Sequence, residues 1–351
     1  FTRAEQIIAL NNPLMQISIY AVMLFVLMFG SEMIIKTNAT SLDVGQLSTL
    51  MTYGFQIMVS LMMLSMVFVM ITFSEESCKR IVEVLNEKSS ITSKENAITE
   101  VKDGSIDFDH VRFKYSRAAE RPVLEDIDVH IKSGETIGII GGTGSAKSSF
   151  VQLIPRLYDT TAGTVRVGGH DVRDYRFADL RQNVSMVLQK NTLFSGTIRE
   201  NLLWGNPNAT EEEMIQAAKH AQAHDFIMEM PDGYDTRVEQ GGSNFSGGQK
   251  QRLTIARAML RKPAVLILDD STSAVDTATD SKIREAFFNH LPDTTVIIIA
   301  QRISSIQGAD NILVLDDGKV NGLGTHEELM ETNDLYRDIY ETQMKGAKGD
   351  E

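Results

Sequence analysis

The stretch IGIIGGTGSAKSS at residues 137–149 indicates the fold class of this chain. Its first four residues, Ile137–Ile140, are typical of a buried strand, and a glycine-rich loop follows at once. A loop of this kind between a strand and a helix directs backbone N–H groups at phosphate oxygens, and the helix N-terminus adds positive potential. The pattern therefore predicts an α/β domain with a phosphate-binding loop.

Individual residues of this loop have distinct expected roles. The side chain of Lys147 would reach the β- and γ-phosphates of a nucleotide, and the hydroxyl of Ser148 would bind Mg²⁺. The strict pattern has glycine immediately before the lysine, where this chain has Ala146. If that position requires a positive φ, the added Cβ costs about 1–2 kcal/mol, so we expect a weakened phosphate cradle. The expected phosphate-binding residues are Gly141, Gly142, Thr143, Gly144, Ser145, Ala146, Lys147, Ser148 and Ser149.

Two carboxylates follow a second apolar strand, Val265–Leu268. Asp269 is placed to hold Mg²⁺, usually through water. Asp270 occupies the position of a general base that would polarise an attacking water, and it is one methylene shorter than glutamate. A displacement of about 1 Å in a positioned catalytic group can lower a rate by about 10²-fold. We therefore expect slow hydrolysis at a site that uses Asp270.

A third phosphate-binding surface is expected one helix length before that second strand. The sequence NFSGGQKQR at residues 244–252 places the Ser246 hydroxyl and several backbone N–H groups at a helix start. Alone, this pattern is typical of a turn before a helix. Its position relative to the two carboxylates favours nucleotide binding.

Further apolar runs complete the expected α/β domain. Residues 296–299 and 312–315 are typical of buried strands, and the sequence THEE at 325–328 predicts a capping box at a helix start. A slip at Asp109–His110 interrupts an alternating strand and indicates a bulge. The alternating residues of that strand are Ile106, Phe108, Val111, Phe113 and Tyr115.

The first 85 residues differ in character from the rest. Residues 13–35 contain one charge, Glu32, and residues 47–73 contain none. As a helix the first of these segments reaches roughly 34 Å, enough for a hydrocarbon core of about 30 Å. Lys79 and Arg80 follow the second segment and favour a cytoplasmic location for that end. The sequence predicts two membrane spans; two buried helices of a soluble core are the alternative.

The overall composition excludes several classes of protein. Lys and Arg number 34 and Asp and Glu 47, a net charge of −13, which argues against a nucleic-acid-binding surface. The single cysteine, Cys78, excludes an internal disulfide framework and a cysteine-built zinc site.

In combination, these motifs closely resemble those of ATP-binding cassette (ABC) exporters, over nearly the whole chain. The resemblance implies ATP and Mg²⁺ as cofactors and two cassettes that sandwich two nucleotides. It implies that Tyr115 stacks on adenine and that Gln189 joins Ser148 and Asp269 at Mg²⁺. It also implies a signature that acts on the partner's nucleotide, at Ser246, Gly247, Gly248 and Gln249, and an interface loop containing Ser273 and Asp276.

Three departures from the family pattern fall in one composite site: Ala146, Asp270 and Gln301. Gln301 stands where the family has a histidine, and an amide cannot carry a proton or a positive charge. The chain thus resembles the degenerate-site half of a heterodimeric bacterial multidrug exporter. The implied partners are a second half-transporter with intact Glu and His, the lipid bilayer and a small hydrophobic substrate.

The resemblance also implies the domain organisation. We expect transmembrane α-helices followed by an α/β P-loop nucleotide-binding domain with a helical subdomain, in a bacterial cell membrane with the nucleotide-binding domain cytoplasmic. Residues 1–85 would end a transmembrane domain with further spans before Phe1, 86–103 would be a linker, 104–345 the nucleotide-binding domain and 346–351 a tail. The alternatives are a homodimer with two weak sites, a peptide or lipid exporter, and a membrane-anchored ATPase or nucleotide sensor that transports nothing.

Overall fold

The computed structural model describes residues 2–116, 118–270, 277–290 and 292–348. It divides into two compact units, Phe1–Ser89 and Ser90–Glu351. The predicted interface-loop residues Ser273 and Asp276 lie outside the described residues.

The first unit consists of two helices, α1 (Thr2–Thr37) and α2 (Val44–Asn86). Asp43 and Gln46 form a capping box that starts α2, in which the Asp43 carboxylate accepts a hydrogen bond from the Gln46 N–H at 2.7 Å. Both helices are long and apolar enough to cross a membrane, and their apolar segments are not buried. This exposure disagrees with the alternative of two buried helices in a soluble core.

The second unit contains two larger sheets and one short strand pair. The central sheet has the order β12-β11-β3-β10-β9-β6, in which only β12 is antiparallel to its neighbour. An antiparallel sheet has the order β2-β1-β4-β5, and β7 pairs with β8. The strands are β1 Ile106–Phe113, β2 Leu124–Ile131, β3 Thr136–Ile140, β4 Ala162–Val167, β5 His170–Asp171, β6 Val184–Val187, β7 Gly196–Thr197, β8 Arg237–Val238, β9 Val265–Asp269, β10 Thr295–Ile299, β11 Asn311–Asp316 and β12 Lys319–Gly324.

Nine α-helices are found in the described part of this unit. They are α3 Lys147–Leu153, α4 Phe177–Asn183, α5 Ile198–Leu203, α6 Glu211–His220, α7 His224–Met228, α8 Gly247–Met259, α9 Thr277–His290, α10 His326–Thr332 and α11 Asp334–Lys348. The predicted capping box is confirmed at α10, where Thr325 and Glu328 cap each other. Strands β3, β9 and β10 are buried along their whole length, as their apolar runs predict.

Strand β1 confirms the predicted bulge. Its register with β2 shifts between Phe108 and Val111, and His110 has a φ of 47°. The predicted alternation extended to Tyr115, but β1 ends at Phe113 and Tyr115 is half exposed. Phe108 stacks on Phe150 of α3 at 4.1 Å, which fixes the helix that follows the glycine loop.

Part of the predicted linker, residues 86–103, is bonded to the second unit. The Ile98 N–H donates to the Asp174 carbonyl at 2.8 Å, and the Phe177 N–H donates to the Ser93 hydroxyl at 3.1 Å. The Thr92 carbonyl accepts from Arg156 at 3.3 Å. Residues 92–98 are thus held against the α/β unit.

Candidate nucleotide-binding site

The glycine loop joins β3 to α3, and its backbone depends on unusual conformations. Ala146, at the N-cap of α3, is left-handed with φ 72° and ψ 21°. The position therefore does require a positive φ, and alanine pays for its Cβ there. At Gly141 a Cβ would lie 2.1 Å from the Leu315 carbonyl oxygen, so only glycine fits against β11.

Replacing Ala146 with glycine is expected to stabilise the protein. Ala146→Gly removes the Cβ from a left-handed residue and should raise the free energy of unfolding by about 1 kcal/mol. Thermal or urea unfolding of the α/β unit measures the change. Ala178→Gly in α4 is the matched control, because the same substitution at an exposed helical position should lower stability by up to about 1 kcal/mol. Equal effects at both positions would contradict the argument.

Lys147 is folded back onto the loop. Its Nζ donates to the Gly141 carbonyl at 2.8 Å, to the Gly142 carbonyl at 2.9 Å and to the Ser145 hydroxyl at 3.3 Å. Burial lowers the pKa of Lys147, while the carboxylates of Asp269 and Asp270 act in the opposite direction. The ammonium group could thus exchange these loop carbonyls for phosphate oxygens as its hydrogen-bond acceptors.

Ser148 and Asp269 meet at the start of α3 and the end of β9. The Ser148 hydroxyl donates to Asp269 Oδ1 at 3.3 Å. Asp269 is only 9% exposed, and burial raises its pKa, while the Ser148 hydrogen bond lowers it. A hydroxyl and a carboxylate are the hard oxygen ligands that Mg²⁺ prefers, and a cation would offset the cost of a buried carboxylate. These two residues fit a magnesium site.

Asp270 is where three of the predicted residues converge. Its Oδ2 accepts hydrogen bonds from Gln301 Nε2 at 2.6 Å and from Gln189 Nε2 at 3.1 Å. Its backbone is left-handed, with φ 47°, and its N–H donates to the Ile299 carbonyl at 3.0 Å. Burial raises the pKa of Asp270, and the two amide hydrogen bonds act against that rise. The carboxylate is held between two neutral amides.

The topology explains this convergence. Asp270 directly follows β9, Gln301 follows β10, and Gln189 follows β6. These strands are parallel neighbours, so their carboxyl ends lie at the same edge of the sheet, next to the loop after β3.

Tyr115 lies beside the helix that follows the glycine loop. Its hydroxyl is 2.9 Å from the Ser149 hydroxyl, and its ring makes edge contacts with Phe113 and Tyr158 at 4.8 and 5.0 Å. The side chain is 51% exposed, so the ring is accessible for stacking. Tyr158 is a residue that the sequence reasoning missed; an aromatic residue shortly after α3 was the available signal.

The signature residues form the N-terminus of α8. The Ser246 hydroxyl accepts from the Gln249 N–H at 3.3 Å, and Gln249 Oε1 accepts from the Ser246 N–H at 2.9 Å. Ser246 and Gly247 are exposed, while Phe245 is buried and anchors the helix start. Among the described residues, no hydrogen bond joins Ser246 or Gln249 to the glycine loop, so the structure does not join these two predicted phosphate-binding surfaces.

Comparison with known proteins identifies the domain. A family described as ABC transporter matches residues 124–273, from β2 to beyond the two carboxylates. The chain contains an ABC transporter domain. The solved structure of a bacterial Atm1-family ABC exporter with ATP bound matches 97% of the chain at 31% identity, with a TM-score of 0.79. The predicted fold, transmembrane helices followed by a P-loop nucleotide-binding domain, is confirmed as that of an ABC exporter.

Curated relatives of the ABC domain come from bacteria. A Staphylococcus aureus protein, named for multidrug export as an ATP-binding/permease protein, is 47% identical over 244 residues. The ABC transporter ATP-binding protein YfiB of Bacillus subtilis is 40% identical over 348 residues, 99% of this chain. The chain spans 42% and 59% of the length of these two relatives, and 60% of the solved exporter chain.

Proposed function

We propose that the chain is part of an ATP-driven exporter of hydrophobic or amphipathic compounds, as one half of a heterodimer. The observation that carries the proposal is the convergence of Ser148, Asp269 and Asp270 with Gln189 and Gln301 at one edge of the central sheet. The alternatives are a homodimeric lipid or peptide exporter and a membrane-anchored ATPase or nucleotide sensor that transports nothing.

The site residues would bind Mg²⁺ and ATP in separate roles. Lys147 and the N–H groups of the loop would hold the phosphates, and Tyr115 would stack on the base. Ser148, Asp269 and Gln189 would hold Mg²⁺, which when bound neutralises phosphate charge. The buried carboxylate of Asp269 supports this assignment, because a cation beside it recovers part of the cost of burying its charge.

Slow hydrolysis at this chain's own site is supported by the surroundings of Asp270. A general base needs to hold a water molecule and accept its proton. Here the carboxylate accepts two amide hydrogen bonds, and Gln301 offers neither a titratable nitrogen nor a positive charge. We propose that the partner chain carries the Glu and His of a competent site, which the signature Ser246–Gln249 would complete.

The membrane part of the proposal rests on helices α1 and α2. Both are long enough to cross a bilayer, and large apolar side chains such as Phe25, Met63 and Phe68 are more than half exposed. Such surfaces require lipid or further helices as neighbours. We propose a multi-pass protein of the cell membrane with its ABC domain in the cytoplasm; the name of the S. aureus relative supports a multidrug substrate range.

Nucleotide binding by the full chain in lipid nanodiscs tests the proposed function. Wild type should bind Mg·ATP saturably, and Lys147→Ala should weaken binding about tenfold, because a charge-assisted contact to phosphate is lost. Lys319→Ala on β12 is the control, since that exposed lysine pairs with Glu125 instead. Calorimetric titration gives both affinities. Wild type that binds no ATP, or equal affinity in the Lys147 and Lys319 variants, would contradict the proposal.

A further inference from the structure

The C-terminal helix α11 is firmly attached to the α/β unit. Tyr336 in its first turns is fully buried, and its hydroxyl lies 2.8 Å from Nδ1 of His326 on α10. The Tyr336 N–H also donates to the Asn333 side chain at 2.9 Å. These contacts fix the start of α11 and hence the direction of its later turns.

Two turns after Tyr336, Gln343 binds the loop that follows β10. Its Oε1 accepts a hydrogen bond from the Ile303 N–H at 2.9 Å, and its Nε2 donates to the Gln301 carbonyl at 2.8 Å. One amide side chain thus satisfies a donor and an acceptor two residues apart. This pairing fixes the backbone on both sides of Arg302.

The same loop is held from two other directions. Arg284 of α9 donates to the Ser304 carbonyl at 2.8 Å and is itself paired with the buried Asp280 at 2.7 Å. Ile306 packs directly on Gly138 of β3, where a Cβ would approach it to 2.6 Å. The loop is thus held at residues 304 and 306, and at its other end the Ala300 N–H donates to the Ile139 carbonyl at 3.2 Å. Gln343 binds the residues between these two held ends.

We propose that Gln343 is a positioning residue for the nucleotide site. It sets the Gln301 backbone so that the Gln301 amide reaches Asp270 Oδ2 at 2.6 Å, at the edge of the site where the terminal phosphate would lie. The inference rests on the proposed function and adds to it that α11 takes part in distinguishing ATP from ADP. The Gln343 side chain acts through its contacts with backbone atoms and not through a contact with the nucleotide.

The test uses the full chain in nanodiscs with two readouts. Gln343→Met keeps the length of the side chain but removes both hydrogen bonds. We expect hydrogen–deuterium exchange of residues 300–306 to accelerate about fivefold to tenfold without nucleotide, and the ratio of ADP to ATP dissociation constants to fall by a similar factor with ADP affinity unchanged. Thr342→Ala, an exposed neighbour on the same helix, is the control and should change neither readout.

A conservative variant separates positioning from loss of folding. Gln343→Glu keeps an acceptor for the Ile303 N–H but cannot donate to the Gln301 carbonyl, so exchange at residue 303 should stay slow while discrimination falls. Unchanged discrimination in Gln343→Met, with wild type preferring ATP, would overturn the inference alone. Wild type that binds neither nucleotide would overturn the proposed function. If, in addition, hydrogen–deuterium exchange of residues 300–306 were unchanged in Gln343→Met, the contact between Gln343 and the loop would be overturned as well.

Discussion

Ser246→Ala in this chain, assembled with a partner that carries Glu and His at the corresponding positions, is expected to lower ATPase activity by about 10²-fold. The Ser246 hydroxyl lies at the exposed N-terminus of α8, a helix of 13 residues whose dipole favours an anion at this end. A donor placed where phosphate charge develops contributes mainly to the rate. Steady-state ATP turnover of the purified pair measures the loss.

Two controls isolate this effect. Thr325→Ala removes the same kind of capping box from α10, so it reproduces the loss of a helix cap, about 1 kcal/mol, without touching the signature. Asp270→Asn should change turnover much less than Ser246→Ala, because we propose that hydrolysis at the site that contains Asp270 is slow. If Asp270→Asn abolished activity and Ser246→Ala did not, the proposed division of labour between the two chains would be wrong.

The double change Asp270→Glu with Gln301→His is expected to raise hydrolysis at this chain's own site by about 10²-fold. Glutamate adds the methylene that places a carboxylate nearer an attacking water, and histidine can carry a positive charge. Turnover is measured with the partner's own Glu replaced by Gln, so that only this site contributes.

The two substitutions should not act independently. Gln301 Nε2 and Asp270 Oδ2 are 2.6 Å apart, and residues in direct contact show coupling in a double-mutant cycle. Each single substitution should therefore raise the rate of hydrolysis by much less than half of the double variant's increase on a logarithmic scale. A double variant as slow as the unaltered chain would show that the site is limited elsewhere, with the left-handed Ala146 as the first position to change.

Where predicted site residues follow strands, the sequence correctly indicates that they lie at one edge of the sheet. The glycine loop, Asp269 and Asp270 each come directly after an apolar run, and parallel strands bring such positions to one edge. The expected strain at Ala146 depended on whether its φ is positive, and the structure gives a φ of 72°. The meeting of Asp270 with Gln301 also needs the register of β9 on β10, in which Asp269 pairs with Ile299, and no local pattern encodes that pairing.

The partner of Gln343 could not have been found from the sequence. Its spacing from Tyr336, Ile339 and Tyr340 places Gln343 on the apolar face of α11. Gln301 is 42 residues away, and spacing within the helix does not show which loop that face contacts. The predicted end of β1 was also wrong. Alternation alone does not distinguish a strand residue from an aromatic residue that follows the strand, as Tyr115 does. Predictions from periodicity therefore weaken where long-range pairing or a loop conformation decides the contact.

Helix α2 has a mechanical consequence. It runs without proline for 43 residues, roughly 65 Å, about twice the hydrocarbon thickness of a bilayer. Sharp kinks in helices nearly always have a local cause such as proline, so α2 should move as a rod.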